Sequence, residues 1–338
     1  MDVGTLLTVQ LPTLLAVVIG VPAVLAGYIV LGEFLVRRLP DGVRPSVRPW
    51  IWVGPALLFV ALFLVYPVFG TIYRSLLAGK DAPGGAFVGL RNYASVLTLN
   101  DFPNSGVWIA IRDNVYWLIF YTILALLFGL LLAVLTDRVP YETPVKSLIF
   151  MPMAISFTAL AIIWRFMFSY QPPGAPQTGT LNAILTGLFH APPITWVQDE
   201  RVNNFALIVA AVWGITGFVM VILSASLKGI PGELLEAARV DGAGELTIFR
   251  RVIFPLLMPT ITVVGTTLVI FALKAFDIVY VMTAGNYHTD VLANTMYKTL
   301  YLAQNFANSS AIAVILLIAV IPVLIFNLRQ FRAVESRR

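Results

Sequence analysis

Long apolar runs separated by shorter polar stretches dominate the pattern of the chain. A helix that crosses the ~30 Å hydrocarbon layer of a bilayer needs about 20 mostly apolar residues. Seven stretches meet this requirement, and we expect a membrane-spanning helix near each of residues 5–36, 51–74, 114–136, 148–169, 204–227, 260–282 and 309–328. The pattern therefore predicts an all-α integral membrane protein.

Composition agrees with this assignment and excludes several other classes of protein. Hydrophobic residues make up 59% of the 338 residues, charged residues make up 12%, and the mean hydropathy is +0.88. A soluble domain carries roughly twice that fraction of charge. The chain has no cysteine and two histidines, His190 and His288. This composition excludes disulfides, a Cys nucleophile and thiolate metal sites, and leaves little for a His-based centre.

The placement of Lys and Arg predicts the orientation of the chain, because cytoplasmic loops are enriched in these residues. Fourteen of them fall in the loops after the first, third, fifth and seventh spans, and five fall in the opposite loops. We therefore expect an outer N-terminus and a cytoplasmic C-terminus. We assign the net charge of +5 to this topology and not to nucleic-acid binding. Trp108, Trp117 and Trp196 are expected near the outer interface, as an aromatic belt.

The cytoplasmic connection at residues 228–258 is longer and more patterned than an ordinary loop of ~4–6 residues. Pro231 suits the first turn of a helix, and Gly242 suits its end, because glycine adopts the left-handed conformation at low cost. A second helix is expected from Gly244 to about Phe254. The pattern fits either an amphipathic hairpin on the membrane surface or a short helix presented to a cytoplasmic partner.

A motif within this connection resembles that of a known family. Residues 236–238 read Glu-Ala-Ala, Gly242 follows after three residues, and 252–255, nine residues later, read Val-Ile-Phe-Pro. This spacing resembles the EAA loop of bacterial ABC importer permeases, whose usual ending is Ile-x-Leu-Pro. The two departures from that ending exchange one apolar side chain for another.

Other segments resemble a narrower family. The segments at 87–93 and 276–285, FVGLRNY and FDIVYVMTAG, resemble matching segments of maltose-type carbohydrate permeases. The segments at 146–168 and 216–243 resemble the α-glucoside subgroup of that family. The resemblance implies a permease subunit of an ATP-driven importer of a sugar, an α-glucoside or oligosaccharide, in the bacterial cytoplasmic (inner) membrane.

The resemblance also implies an organisation and a set of partners. Residues 50–330 would form a six-helix permease core, with an extra transmembrane helix and basic linker at 1–49 and a basic tail at 331–338. The implied partners are a second homologous permease, two ATP-binding cassette subunits that bind ATP and Mg, and an extracytoplasmic sugar-binding protein. The implied ATPase-coupling residues are Glu236, Ala237, Ala238, Arg239, Asp241 and Gly242.

Polar and aromatic residues inside the predicted spans mark a candidate substrate path, because an ionisable group in a span is costly without a role. Lys274 and Asp277 either form a local ion pair or face a water-filled cavity. A helical sixth span would place Thr267, Phe271 and Lys274 on one face, with the hydroxyl partners and aromatic ring that a sugar site needs. In the fifth span, packing against neighbours is the alternative to lining the path. The candidate residues are Trp213, Thr216, Phe218, Thr267, Phe271, Lys274 and Asp277.

Several functions remain as alternatives, whereas enzymatic activity is not expected. The sequence contains no Gly-x-x-x-x-Gly-Lys-Ser/Thr loop, no His-Glu-x-x-His motif and no nucleophile elbow, so ATP hydrolysis would come from another polypeptide. The same transporter type could carry glucosylglycerol or glycerol-phosphate. A secondary transporter or channel is disfavoured by the EAA-like spacing, and a membrane scaffold is disfavoured by the polar face within the spans.

Overall fold

A computed structural model describes residues 3–79, 85–98, 106–137 and 139–335. These residues are almost entirely helical. The helices are α1 (Val3–Arg37), α2 (Arg44–Val60), α3 (Tyr66–Ser75), α4 (Arg91–Val96), α5 (Gly106–Tyr116), α6 (Thr122–Leu135), α7 (Glu142–Phe150), α8 (Phe157–Met167), α9 (Thr180–Leu188), α10 (Asn203–Lys228), α11 (Gly232–Val240), α12 (Glu245–Ile248), α13 (Phe254–Leu273), α14 (Asp277–Met282), α15 (Leu292–Tyr297) and α16 (Phe306–Glu335). Short π-helical segments join α2 to α3, α5 to α6 and α12 to α13 into continuous helices. The last three residues of the expected basic tail, 336–338, lie outside the described residues.

Within the described part of the chain, six continuous helices are long and apolar enough to cross a membrane. They are Ala16–Arg37, Arg44–Ser75, Gly106–Leu135, Asn203–Lys228, Glu245–Leu273 and Phe306–Val323. A seventh span results if the pair Glu142–Ala154 and Phe157–Met167 is taken as one, although this pair bends by 99°. The all-α membrane architecture expected from the apolar pattern is confirmed.

The expected fourth span, 148–169, is broken in the structure. Ile155 is extended, with φ −87° and ψ 137°. The Ser156 side chain then accepts a hydrogen bond from the Ala159 N–H at 3.2 Å and caps α8. A serine cap satisfies one of the backbone N–H groups that a new helix leaves without a partner. The break therefore arises from local capping within an apolar stretch that hydropathy shows as continuous.

The expected sixth span, 260–282, is wrong at both ends. The continuous helix runs from Glu245 to Leu273, and α14 begins separately at Asp277. Pro255 lies inside this continuous helix, directly after the π-helical segment, whose altered hydrogen bonding accommodates the missing N–H. Asp277 favours a new start because a carboxylate stabilises the first turn of a helix.

Two compact units make up the chain, and the first, Met1–Gly70, contains a helical hairpin of α1 and α2. The hairpin closes tightly because Gly32 has no side chain: a Cβ there would lie 2.5 Å from Cγ2 of Ile51. Arg48 donates to the Glu33 carboxylate at 2.7 Å across the same pair of helices. The domain boundary expected after residue 49 stays a prediction.

The second unit, Thr71–Arg338, is built around α10, which packs against α6, α7, α8 and α13. Most of its side chains are buried, and 72% of its most apolar stretch is buried. Glycines allow this close packing, as expected for helices that associate in lipid. A Cβ on Gly129 of α6 would lie 2.4 Å from Cγ1 of Val219, and one on Gly217 would lie 2.6 Å from the Ile149 carbonyl oxygen.

We predict that Gly217→Ala destabilises the protein, because the new methyl meets backbone atoms that cannot rotate away. Overpacking of this kind costs about 1–3 kcal/mol. Gly265→Ala on α13 is the matched control, since its Cβ would lie at an ordinary 3.5 Å from Leu126. The measurement is the thermal midpoint of the detergent-solubilised protein. Equal midpoints for the two variants would contradict the packing of α10 against α7.

Candidate functional site

The connection at 228–258 folds as two helices separated by a sharp turn at Gly242. Gly242 has φ +81°, in the left-handed region that favours glycine. The Gly242 N–H donates to the Arg239 carbonyl and the Ala243 N–H donates to the Ala238 carbonyl, both at 3.0 Å. This pair of bonds is the Schellman arrangement that ends a helix. The predicted end of the first helix, α11, is therefore confirmed.

The second helix of this connection differs from its prediction. We expected it to stop at about Phe254, but it continues through Phe254 into α13 as one helix, Glu245–Leu273. Arg239 of α11 donates to the Glu245 carboxylate, with Nε to Oε1 at 2.9 Å and Nη2 to Oε2 at 3.4 Å. The carboxylate raises the pKa of the Arg239 guanidinium. The bridge fixes α11 against the first turn of the long helix.

The outer surface of α11 is available for a partner. Leu235 is its one buried residue. The expected coupling residues Glu236, Ala237, Arg239, Asp241 and Gly242 are exposed, and Ala238 is half-buried. The most exposed apolar side chains of the connection are Val240, at 87%, and Leu246, at 71%. The connection thus presents an apolar and charged knob that no other described residue covers.

At Lys228, where the connection begins, a cluster of ion pairs joins α10 to α7. The cluster was not predicted from the sequence. The Glu142 carboxylate at the start of α7 accepts from Lys228 at 2.7 Å and also from Lys146. Lys146 also contacts the Ser224 hydroxyl on α10. The spacing of Glu142 and Lys146 by four residues, which places both on one helix face, was the available signal.

A cavity of about 200 Å³, which we name the Trp117 cavity, lies among the predicted spans. Phe271, Lys274 and Asp277 line it, as three of the candidate residues predicted from the sequence. The remaining lining residues were not predicted from the sequence; they are Trp117, Tyr121, Phe157, Ala211, Ala275, Phe276 and Ile278.

Trp117 is the most informative of the missed residues. Its assignment to an interfacial belt is wrong, because it is only 2% exposed and belongs to the hydrophobic core. Its Nε1 is buried without a hydrogen-bond partner among the described residues. A buried donor without a partner costs roughly 1–3 kcal/mol, so such groups in native proteins call for an explanation.

Two irregular backbone segments form part of the wall of the Trp117 cavity. One is the π-helical stretch Trp117–Tyr121, and the other is the break at 274–276 between α13 and α14. Asn114 stabilises the break, since its amide donates to the Ala272 carbonyl at 3.5 Å and its Oδ1 accepts from the Leu292 N–H at 2.8 Å. Non-helical backbone at membrane depth is tolerated where it is buried in protein or lines a cavity.

The break also changes how the candidate residues of the sixth span relate to one another. Lys274 lies in the break and Asp277 begins α14, and within the described residues they form no ion pair. Both side chains are exposed, and both line the Trp117 cavity. Thr267 does not line the cavity, and its hydroxyl donates to the Val263 carbonyl at 3.1 Å.

The fifth-span candidates do not join this cavity. Trp213 and Thr216 line a separate, almost wholly apolar groove of about 620 Å³. The Thr216 hydroxyl donates to the Val212 carbonyl at 2.6 Å, and the Trp213 ring meets the Trp164 ring edge-on at 5.8 Å. Phe218 packs against the core. Ala211 is the α10 residue that reaches the Trp117 cavity. Among the described residues, no three His, Cys, Asp or Glu side chains are grouped to hold a metal ion.

Comparison with known proteins agrees with this architecture. The family described as "binding-protein-dependent transport system inner membrane component" matches residues 125–338. The chain is 47% identical over 288 residues to the osmoprotective compounds uptake permease of Synechocystis sp., covering 85% of the chain and 100% of that protein. It is 44% identical over 289 residues to the α-glucoside transport system permease of Rhizobium meliloti, covering 85% of the chain and 83% of that protein.

A solved structure shares the fold. A chain of a bacterial ABC transporter that imports the acidic polysaccharide alginate superposes with a TM-score of 0.71. The superposition covers 86% of this chain and 98% of that one at 19% identity.

Proposed function

The chain belongs to the family of binding-protein-dependent transport system inner membrane components, and from this membership we propose that it is the permease subunit of an ATP-driven sugar importer. It is a multi-pass inner membrane protein. We propose that its solute is an α-glucoside or a small oligosaccharide. The second candidate is a polyol-like solute such as glucosylglycerol, which the 47% identity to an osmoprotective compounds permease favours.

The Trp117 cavity carries this proposal, because its chemistry suits a neutral polyhydroxyl solute. Phe271 offers a ring face against which the C–H face of a pyranose can pack. The Lys274 ammonium is a donor, and the Asp277 carboxylate is an acceptor. One cation and one anion balance, so the cavity does not select a charged solute. An apolar pocket with a few convergent polar groups is the usual form of a small-molecule site.

The test is ATP-dependent uptake by the whole transporter in proteoliposomes, with its binding protein and ATPase. Labelled maltose, sucrose, trehalose, glucosylglycerol and glycerol 3-phosphate are offered in turn. We expect uptake of at least one α-glucoside, with competition by the others. Uptake of glucosylglycerol alone would support the second candidate solute instead of an α-glucoside. Uptake that needs no ATPase subunit would refute the importer, since a secondary transporter would then explain the chain.

The coupling mechanism follows from the continuity of one helix. We propose that α11 docks on an ATP-binding cassette subunit, which binds ATP and Mg, and that two such subunits, a second permease and an extracytoplasmic binding protein complete the transporter. The Arg239–Glu245 bridge joins α11 to the helix Glu245–Leu273, whose 29 residues span about 43 Å. That helix ends beside Lys274, so a displacement of α11 reaches the Trp117 cavity along a single rigid element. The orientation proposed is a cytoplasmic α11 and C-terminus.

We predict that Lys274→Ala lowers sugar uptake at subsaturating solute by about 10–100-fold, because a hydrogen bond to a charged group contributes about 1.5–3 kcal/mol. Assembly of the complex is expected to stay intact, since Lys274 is exposed. Thr267→Ala is the matched control on the same helix, because its hydroxyl bonds to its own backbone. Normal uptake by Lys274→Ala would remove this residue from the path.

We also predict that Gly242→Trp abolishes co-purification of the ATPase while membrane insertion stays normal. A side chain at φ +81° strains the turn that sets α11, and an indole there covers its docking surface. Gly174→Trp is the matched control: its φ is +90°, a Cβ there meets open space as at Gly242, and it lies far along the chain from the connection. Undiminished ATPase co-purification with Gly242→Trp would contradict docking through α11.

A further inference from the structure

A second cavity lies at the end of the bundle opposite the α11 connection. This cavity, which we name the outer pocket, has a volume of about 440 Å³ and is lined by parts of the segments 165–170, 195–198 and 280–287. The two ends of α10 show where the outer pocket lies. The α10 helix ends at Lys228, where the α11 connection begins, whereas Asn203 at its other end donates to the Tyr287 carbonyl at 2.7 Å.

The 195–198 wall of the outer pocket is fixed by one buried amide. The Asn182 Oδ1 accepts from the Trp196 indole N–H at 3.0 Å and from the Ile194 N–H at 2.9 Å. Its Nδ2 donates to the Ser169 carbonyl at 3.1 Å, which belongs to the 165–170 wall. The Trp196 ring also packs on Phe168 with ring centres 5.7 Å apart. Two walls of the pocket are thus held together before any ligand binds.

The 280–287 wall is locked from the opposite side, in a strained conformation. Ala284, Tyr287 and His288 have φ of 53°, 56° and 55°, a left-handed conformation that such residues rarely adopt. Asn204 and Arg112 donate to the His288 carbonyl at 3.3 and 3.0 Å and hold the loop in place. Backbone strain of about 1–3 kcal/mol per residue persists only where surrounding structure enforces it, and it concentrates at ligand sites.

The residues that face the outer pocket have the chemistry of a carbohydrate site. The rings of Tyr280 and Tyr287 are 40% and 48% exposed. Gln198 and Asn286 are exposed, and their side-chain amides have no hydrogen-bond partner among the described residues. Arg165 uses one nitrogen on the Val281 carbonyl and keeps its other N–H groups for the pocket. Aromatic faces beside amides that both donate and accept are what a pyranose ring requires.

The outer pocket and the Trp117 cavity share a wall. Phe276 lines the Trp117 cavity and Tyr280 lines the outer pocket, and their rings stack with centres 5.2 Å apart and an interplanar angle of 17°. Phe276 directly precedes α14, and Tyr280 lies within it. The two cavities are therefore neighbours, separated by this pair of rings.

We propose that the outer pocket is a second carbohydrate-binding site, which holds a pyranose ring of the solute after its release outside the membrane and before it reaches the Trp117 cavity. The inference rests on the proposed function for the class of solute. A lipid acyl chain fits the pocket poorly, since its lining is predominantly polar. A loop of the binding protein is the competing occupant, and the experiment separates it from sugar.

The experiment uses the complete transporter in lipid nanodiscs without ATP, and maltose, sucrose and trehalose that each carry a diazirine. Illumination is followed by mass spectrometry of the labelled peptides. We expect labelling within 195–198 or 280–287 in addition to labelling near Phe271, and competition by the unlabelled sugar. Labelling near Phe271 alone, with transport intact, would overturn the outer site and leave the proposed function standing. Absence of both labelling and uptake would instead overturn the proposed function.

Matched variants make the assignment specific. Tyr287→Ala and the double variant Gln198→Ala with Asn286→Ala are expected to reduce labelling of the outer pocket at least fivefold, with labelling near Phe271 unchanged. Tyr287→Phe keeps the ring and should retain labelling. Gln304→Ala removes an exposed amide that does not line the pocket and serves as the control.

A second readout distinguishes the competing occupant. Loss of the outer site is expected to raise the KM for the loaded binding protein with little change in maximal uptake. A photo-cross-linker placed at Gln198 that captures binding-protein peptides, with no sugar label in the pocket, would show a protein occupant and overturn the proposal.

Discussion

In hydrocarbon, a backbone N–H or C=O group without a partner costs several kcal/mol, and this constraint explains both the regular and the irregular parts of the structure. It requires helix wherever lipid surrounds the chain. Where a helix is interrupted, side chains make the hydrogen bonds that its backbone groups lack. The Ser156 hydroxyl caps α8, and the Asn114 amide donates to the Ala272 carbonyl and accepts from the Leu292 N–H. Non-helical backbone is tolerated where protein or a cavity surrounds it, and the break at 274–276 lies in a cavity wall.

Local sequence signals predicted the features that local physics determines. The apolar runs predicted the positions of most membrane-crossing helices. Gly242 predicted the end of α11, because a residue in the left-handed conformation is needed there. The break after Leu273 was missed because hydropathy averages over about 20 residues and cannot register a short interruption. Asp277 was a usable signal, since a carboxylate favours the first turn of a helix, whereas Asn114 lies far away in sequence and acts only through the fold.

The candidate path on α10 shows a different limit. A helix that is apolar on nearly every side carries no periodic signal in its sequence that fixes its rotation. Trp213 and Thr216 share a face, as their spacing requires, but that face meets an apolar groove and not the Trp117 cavity. Trp117 shows the converse error, since a tryptophan near the end of an apolar run is equally compatible with an interface and with a buried wall. Tertiary packing decides both cases.

The two ends of the 274–276 break are held by different parts of the protein, and this has a mechanical consequence. The loop that follows α14 is fixed to α5 and α10 through Arg112, Asn203 and Asn204. The helix that precedes the break extends to α11 through the Arg239–Glu245 bridge. Under the proposed coupling, a displacement of α11 with this loop held in place is taken up between the two. The break lacks the hydrogen bonds that restrain the backbone of a helix, so we expect it to act as the hinge and the wall that contains Lys274 to move with it.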